Sequence, residues 1–264
     1  MTKDVNALTA ALPSGGRIPL LGFGTWQLEG AGGYEATRAA LDIGYRHIDT
    51  ATGYANEDRV GAALRDSGID RSEVFVTTKC PPERAGHERQ TLEESLSALG
   101  VDFVDLWLVH WPPDGQARPA TWRQFIEARE AGKARSIGVS NYSIAQIDEL
   151  IEATGQSPAV NQIPWSPFLY DPATAAALGE RGVVLEGYSP LKRSNLGHPL
   201  LGELAHAYGK TPAQIVLRWH LDHGFVVIPK SARRERIQEN FDVGGFALTK
   251  EDVARLDQVK GGGR

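Results

Sequence analysis

Eight short runs rich in Val, Ile, Leu and Phe alternate with longer stretches of helical period, and this alternation constrains the fold more than any other feature of the chain. The runs are residues 20–24, 46–49, 74–79, 104–110, 135–140, 159–162, 183–188 and 225–228. Strands joined through helices lie parallel, because the crossover returns the chain to the same end of the sheet. The helical signals are specific. Residues 91–100, TLEESLSALG, set Leu92, Leu96 and Leu99 on one face and stop at Gly100; residues 143–151 open on Ser143, a natural N-cap. The longer segment 189–224 holds two helical stretches, the second with Pro212 in its first turn.

Eight βα units within 264 residues, with no Pro/Gly/Ser linker to divide them, predict an α/β fold: one (β/α)8 TIM barrel domain over residues 1–264. The stretch ALPSGGRIPL, residues 11–20, has turn residues at its centre and predicts a β-hairpin ahead of the first barrel strand.

Acids and bases are interspersed and sum to a formal charge of −5, which argues against a nucleic-acid or anionic-membrane partner. Cys80 is the single cysteine, so no intramolecular disulfide or cysteine zinc cluster can form, and no metal site is expected. The N-terminus lacks an apolar leader core, and no apolar run approaches the roughly 20 residues of a membrane span. The expectation is a cytoplasmic, monomeric protein acting on a small molecule.

Barrels of this kind build their sites at the carboxyl ends of the strands. There the chain places Asp49, Lys79, His110, then Ser140 and Asn141, Gln162, then Tyr188 and Ser189; beyond the last run come Lys230 and Ser231. Tyr54 follows Asp49 on the adjoining loop. Neighbouring strands lie about 5 Å apart, so Asp49, Lys79 and His110 are within reach of one another. A lysine ammonium beside a phenol lowers the phenol's pKa, and a carboxylate beyond the lysine keeps the lysine charged. Asp49 would hold Lys79, Lys79 would lower the pKa of Tyr54, and Tyr54 would give a proton to a carbonyl oxygen that His110 orients. Taken singly, each residue has a bland reading as a loop cap, a surface aromatic or a strand-end histidine. Four such groups at three consecutive strand ends are hard to dismiss.

GFGTWQ, residues 22–27, begins like a dinucleotide fingerprint but lacks its third glycine, so a Rossmann site is rejected. The better phosphate site is IPKSARRERIQEN, residues 228–240, where Lys230 and Ser231 precede a helix N-terminus and Arg236 follows.

Through PLLGFGTW, GYRHIDTATGYANE, LVHWP, IGVSNY, GYSPL and IPKSARRERIQEN the chain resembles the aldo-keto reductases over residues 12–260, and looks like short bacterial members such as 2,5-diketo-D-gluconate reductases. The resemblance implies NADPH-dependent reduction of aldehydes and ketones, dicarbonyls and keto-sugars among them, with a catalytic tetrad of Asp49, Tyr54, Lys79 and His110. It implies that Ser140, Asn141 and Gln162 hold the nicotinamide carboxamide and that Tyr188 stacks on the ring. Thr25, Ser189 and Leu191 match positions near the ribose and pyrophosphate; Lys230, Ser231 and Arg236 match the 2′-phosphate site; Glu239 and Asn240 match the adenine site. Arg233 replaces a small polar residue common in the family and would add positive charge beside the 2′-phosphate. Pro81 stands where many members carry a tryptophan, leaving Trp26 and Trp111 as the aromatic walls of the substrate pocket. Animal members continue into a C-terminal loop that covers the substrate, whereas residues 261–264, GGGR, have too much backbone freedom to form a lid, so an open, permissive pocket is expected. The rival readings are a Schiff-base lyase using Lys79, a cysteine hydrolase using Cys80 and His110, and a nicotinamide-binding module without catalysis.

Overall fold

Residues 5–259 are described by a computed structural model, so the tail 261–264 and its expected failure to form a lid lie outside the described residues. The expected hairpin is present: β1 (Thr9–Ala11) pairs antiparallel with β2 (Arg17–Pro19). Eight parallel strands follow, β3 (Phe23–Gly24), β4 (His47–Asp49), β5 (Phe75–Cys80), β6 (Val104–Val109), β7 (Ala134–Ser140), β8 (Val160–Pro164), β9 (Val184–Tyr188) and β10 (Val226–Ile228). Each pairs with its sequence neighbour, as right-handed βα crossovers dictate. Around them run α1 (Gly30–Ile43), α2 (Glu57–Ser67), α3 (Glu88–Leu99), α4 (Pro119–Glu130), α5 (Ile144–Thr154), α6 (Pro172–Glu180), α7 (Pro199–Tyr208), α8 (Pro212–Asp222), α9 (Arg234–Phe241) and α10 (Lys250–Asp257). No described helix is long and apolar enough to cross a membrane.

The helix signals read from the sequence are met by side-chain detail. The α3 helix buries Leu92, Leu96 and Leu99 and stops at Gly100, whose φ of 68° lies in the left-handed region that glycine adopts without strain. Ser143 and Gln146 form a reciprocal capping box on α5, and Thr211 and Gln214 form another on α8. Helices pack on the barrel through aromatic contacts as well as aliphatic ones: Trp107 of β6 stacks on Phe125 of α4 with ring centroids 3.6 Å apart.

Closure of the cylinder explains the GFG sequence. A parallel bridge joins Leu21 to Val227, the Gly22 amide donates to the Val227 carbonyl at 2.9 Å, and the Gly24 amide donates to the Pro229 carbonyl at 3.1 Å. A β-carbon on Gly22 would lie 2.6 Å from His47 Nδ1, and one on Gly24 would lie 2.9 Å from the Ile228 carbonyl oxygen. These glycines serve the seam between the first and last barrel strands. The run expected at 20–24 therefore has two halves: Leu20 and Gly22 bond towards β10, and Phe23 and Gly24 also pair with β4.

The hairpin lies across the amino-terminal mouth of the barrel. Ile18 is wholly buried, Ser14 Oγ is 2.6 Å from Ser136 Oγ on β7, and the Leu20 amide donates to Leu8. A cleft of about 660 Å³ runs beside it, but its arginines are already engaged: Arg17 bonds Thr9, Arg46 bonds the carbonyls of Leu41 and Tyr45, and Arg135 bonds Asp105. The tetrad lies elsewhere, at the carboxyl ends of the strands.

Candidate active site

Asp49 closes β4 and pairs in register with Thr77, so Lys79 stands two residues further along β5 and its side chain reaches back across the barrel interior. Lys79 Nζ donates to Asp49 Oδ1 at 2.6 Å, to the Thr50 carbonyl at 2.8 Å and to Tyr54 Oη at 3.3 Å. All three ammonium protons are thereby used. Burial alone would discharge this fully buried lysine; the Asp49 charge beside it, helped by Tyr54, outweighs that and keeps the ammonium above the ordinary lysine value. The other Asp49 oxygen accepts from Gln162 Nε2 at 2.8 Å, so each oxygen of the carboxylate has a donor.

Tyr54 ends a tight helical turn, Thr52–Tyr54, and the turn is anchored from below. Thr52 Oγ1 donates to the Lys79 carbonyl at 3.0 Å, and the buried Asn56 side chain donates to the carbonyls of Thr25 and Leu28. One expectation needs correction. Lys79 was expected to lower the Tyr54 pKa, and it does pull in that direction, but burial of the phenol outweighs it and the net direction is upward. A buried phenol is therefore held neutral, the state an acid needs. Because the phenol oxygen accepts from Lys79, its own hydrogen is free to point into the cavity.

His110 lies one residue beyond β6, where its amide continues the ladder by donating to Cys80. Its ring stands edge to face with Tyr54 at 5.6 Å between centroids. Burial, reinforced by the Lys79 charge, lowers its pKa to about 3, so the imidazole is neutral and keeps one N–H to donate.

These groups open into a cavity of about 430 Å³ that Trp26 and Trp111, 43% and 49% exposed, flank at the mouth. Ser140, Asn141, Gln162, Tyr188, Ser189 and Lys230 also line it. Asn141 adopts a left-handed φ of 63°, a conformation asparagine tolerates better than most residues, and its amide is fully bonded. Asn141 Nδ2 donates to the His110 carbonyl and to Ser140 Oγ, while Oδ1 accepts from the Tyr188 hydroxyl at 2.9 Å. Ser140 Oγ donates to the Gln162 carbonyl.

The remaining sequence-read residues sit apart from this cavity. Thr25 is wholly buried and donates to the Asp49 carbonyl, and Leu191 lies half-buried on the loop after β9. Ser231 accepts from the Arg233 amide at 3.1 Å just ahead of α9. Arg233 and Arg236 are exposed and, among the described residues, make no ion pair. Glu239 accepts from the Thr211 hydroxyl, and Asn240 is buried on the same helix. Pro81 does not line the cavity.

Three neighbours escaped the sequence reading. Lys192 and Arg193 line the cavity from the loop after β9, with Lys192 Nζ 5.2 Å from the Trp26 ring centre; nothing in a loop's composition marks such a pair. Glu186 lies fully buried in β9, and here a signal existed, since a glutamate interrupts the apolar run VVLEGY.

Residues 20–260 match the aldo/keto reductase family. The chain is 44% identical to 2,5-diketo-D-gluconic acid reductase B of a Corynebacterium species, covering 97% of this chain and 95% of that protein. It is 41% identical to the methylglyoxal reductase DkgA of Escherichia coli, with the same coverage of 97% and 95%. An aldo/keto reductase from Brucella melitensis superposes with a TM-score of 0.91 at 40% identity, over 95% of this chain and 98% of that one. The chain belongs to the aldo/keto reductase family: it is an oxidoreductase that reduces carbonyl groups with a nicotinamide cofactor.

Proposed function

We propose that this single-barrel protein is an NADPH-dependent reductase of aldehydes and ketones, with Tyr54 as the proton donor. The observation that carries the reading is the buried line Asp49–Lys79–Tyr54 ending at a phenol that lines the cavity. The cofactor supplies a hydride when bound. Everything else is the protein's work. Tyr54 delivers a proton to the carbonyl oxygen, and neutral His110 donates the hydrogen bond that orients that oxygen. Trp26 and Trp111 supply apolar walls.

The residues fit the cofactor. Ser140, Asn141 and Gln162 line the cavity wall and would exchange part of their bonding to one another for bonds to a carboxamide, and Tyr188, tied to Asn141, offers its ring for stacking. The unpaired cations Arg233 and Arg236, with Lys230 and Ser231 before them, form a site for the 2′-phosphate at the start of α9. Thr25, Ser189 and Leu191 take the ribose and pyrophosphate region, and Glu239 and Asn240 the adenine. The relatives' names point to dicarbonyls and keto-sugar acids as substrates; in this reading the chain acts as a monomer in a cytoplasmic setting.

The rivals fit less well. A Schiff base needs an uncharged amine, and Lys79 is buried, fully bonded and held protonated. The Cys80 thiol is pushed up to about 12 by burial, which leaves it a poor nucleophile. Following NADPH absorbance with a panel of aldehydes, ketones and dicarbonyls tests the proposal. Turnover of several is expected, without an imine trapped by borohydride; cofactor binding with no turnover of any of them would point to a binding module.

Preference for NADPH over NADH should disappear in Arg236→Ala. A guanidinium that meets a phosphate dianion gains little from a bare hydroxyl, so NADPH affinity should fall by about 1.5–3 kcal/mol, the worth of a charge-assisted hydrogen bond, while NADH affinity barely moves. Fluorescence titration with both cofactors measures this. Equal weakening of the two would move the 2′-phosphate site away from α9.

A further inference from the structure

Beneath the tetrad lies a carboxyl that the chemistry above does not use. Glu186 stands between Gln162 on β8 and Val226 on β10 in the strand register, and its side chain is wholly buried. Among the described residues neither oxygen meets a partner at ordinary hydrogen-bond geometry, although the Gln162 amide acts weakly on the carboxyl, and such a group normally costs free energy to bury unpaired. The titratable and charged groups that act with it are His47 and Asp49 from β4, Lys79 from β5 and Tyr54 from the loop after β4; Gln162 of β8 and Val226 of β10 flank it in register.

His47 shows which form of the carboxyl the site accepts. Its Nδ1 lies 3.3 Å from the Pro19 carbonyl, which can only accept, so Nδ1 carries the ring proton. Burial lowers the His47 pKa to about 3, so the ring is neutral and Nε2 holds a bare lone pair. That lone pair is 3.7 Å from Glu186 Oε1 and 3.2 Å from Thr77 Oγ1. That lone pair already accepts the Thr77 hydroxyl, so His47 has no proton to offer Glu186; a carboxylate here would stand near the Asp49 charge with no donor from His47, whereas a carboxylic acid carries no charge to compensate. Burial and Asp49, partly offset by Gln162 and Lys79, accordingly raise the Glu186 pKa to about 8.

We propose that Glu186 is a positioning residue that governs proton release from Tyr54: uncharged, it adds no field to the Asp49–Lys79–Tyr54 line, and charged, it adds a second negative charge beside Asp49 that makes the phenol hold its proton. The inference rests on Tyr54 being the proton donor. Its direction agrees with the through-space action of Glu186, which raises both Lys79 and Tyr54.

The test is alcohol oxidation, the reverse reaction, because it needs the Tyr54 phenolate and so reports the phenol's ionisation directly. Log kcat/KM against pH is compared for the wild type, Glu186→Gln and Tyr54→Phe across the alkaline range. Removing a nearby unit charge from a largely desolvated site moves a pKa by about one unit, so the Gln variant should reach its half-maximal rate about one pH unit lower. A side chain that merely packs would change the height of this curve and leave its midpoint in place. A shift below about 0.3 unit with Tyr54→Phe inactive overturns the role of Glu186 alone; an active Tyr54→Phe overturns the donor assignment instead.

A second readout is independent of activity. A carboxyl at about 8 in the fold and 4.5 in the free chain binds its proton more tightly when folded, so its stabilising contribution is complete below 4.5 and is lost as pH rises through 8. The melting temperature of Glu186→Gln should therefore gain on the wild type between acid and alkaline pH. If the variant does not fold, infrared spectra of the wild type serve: a carboxylic-acid C=O band that persists at neutral pH and disappears in alkali is expected, and its absence at neutral pH overturns the proposal.

Discussion

Tyr54→Phe loses about 10²–10⁴-fold in carbonyl reduction, the usual cost of removing a positioned acid, while NADPH affinity stays within about twofold. Phenylalanine fills the same half-buried space and keeps the edge-to-face contact with His110, so only the hydroxyl and its bond from Lys79 are lost. No neighbour can take over. His110 is neutral, with a pKa near 3, and a neutral imidazole N–H is a weak acid; Lys79 spends its protons on Asp49, Thr50 and Tyr54. Because burial holds the phenol above its ordinary pKa of 10, the wild-type reduction rate should decline only above that pH. Steady-state kinetics with one aldehyde and one ketone, together with a cofactor titration, decide the matter. Activity within about threefold of wild type would remove Tyr54 from the mechanism.

The second large effect falls on stability. Lys79→Met leaves the Asp49 carboxylate in the barrel interior without its cation, and breaking a buried pair in this way typically costs about 3–5 kcal/mol. Replacing both partners is a different matter, since the uncompensated charge then disappears with the pair. In Asp49→Asn/Lys79→Met the asparagine oxygen can still accept from Gln162, so most of the lost stability should return while activity does not. Denaturant unfolding of the wild type, both single variants and the double variant measures the coupling. A single variant within about 1 kcal/mol of wild type, or a double variant no better than Lys79→Met, would show that the pair matters less to the fold than its burial implies.

Much of this arrangement was legible because the repeat of strand and helix fixes where chemistry must sit. Once eight strands are placed, the last residue of each run is a site candidate, and Asp49, Lys79, His110, Ser140 and Gln162 were found that way. What stayed hidden depends on contacts between distant residues. GFG reads as a failed nucleotide fingerprint because sequence spacing cannot show that Gly22 and Gly24 press against β10, some two hundred residues later. The sign of the Tyr54 shift was missed for a similar reason: the charge of Lys79 is readable from type and order, but the burial that outweighs it is a property of the assembled barrel. Glu186 could have been questioned from its place in an apolar run; its lack of partners could not.

The glycine seam also orders events in time. It joins the segment that leads to Trp26 with the one that leads to Lys230, so two walls of one cavity come from opposite ends of the chain. During synthesis the amino-terminal wall emerges early and waits, its edge unpaired, until the last strand has left the ribosome. A nascent chain that stops short of residue 230 already contains Asp49, Lys79 and Tyr54 but lacks the segment that completes the cavity around them. Completion of the ring and acquisition of the site are therefore a single step, and a truncated by-product of translation has no route to partial function.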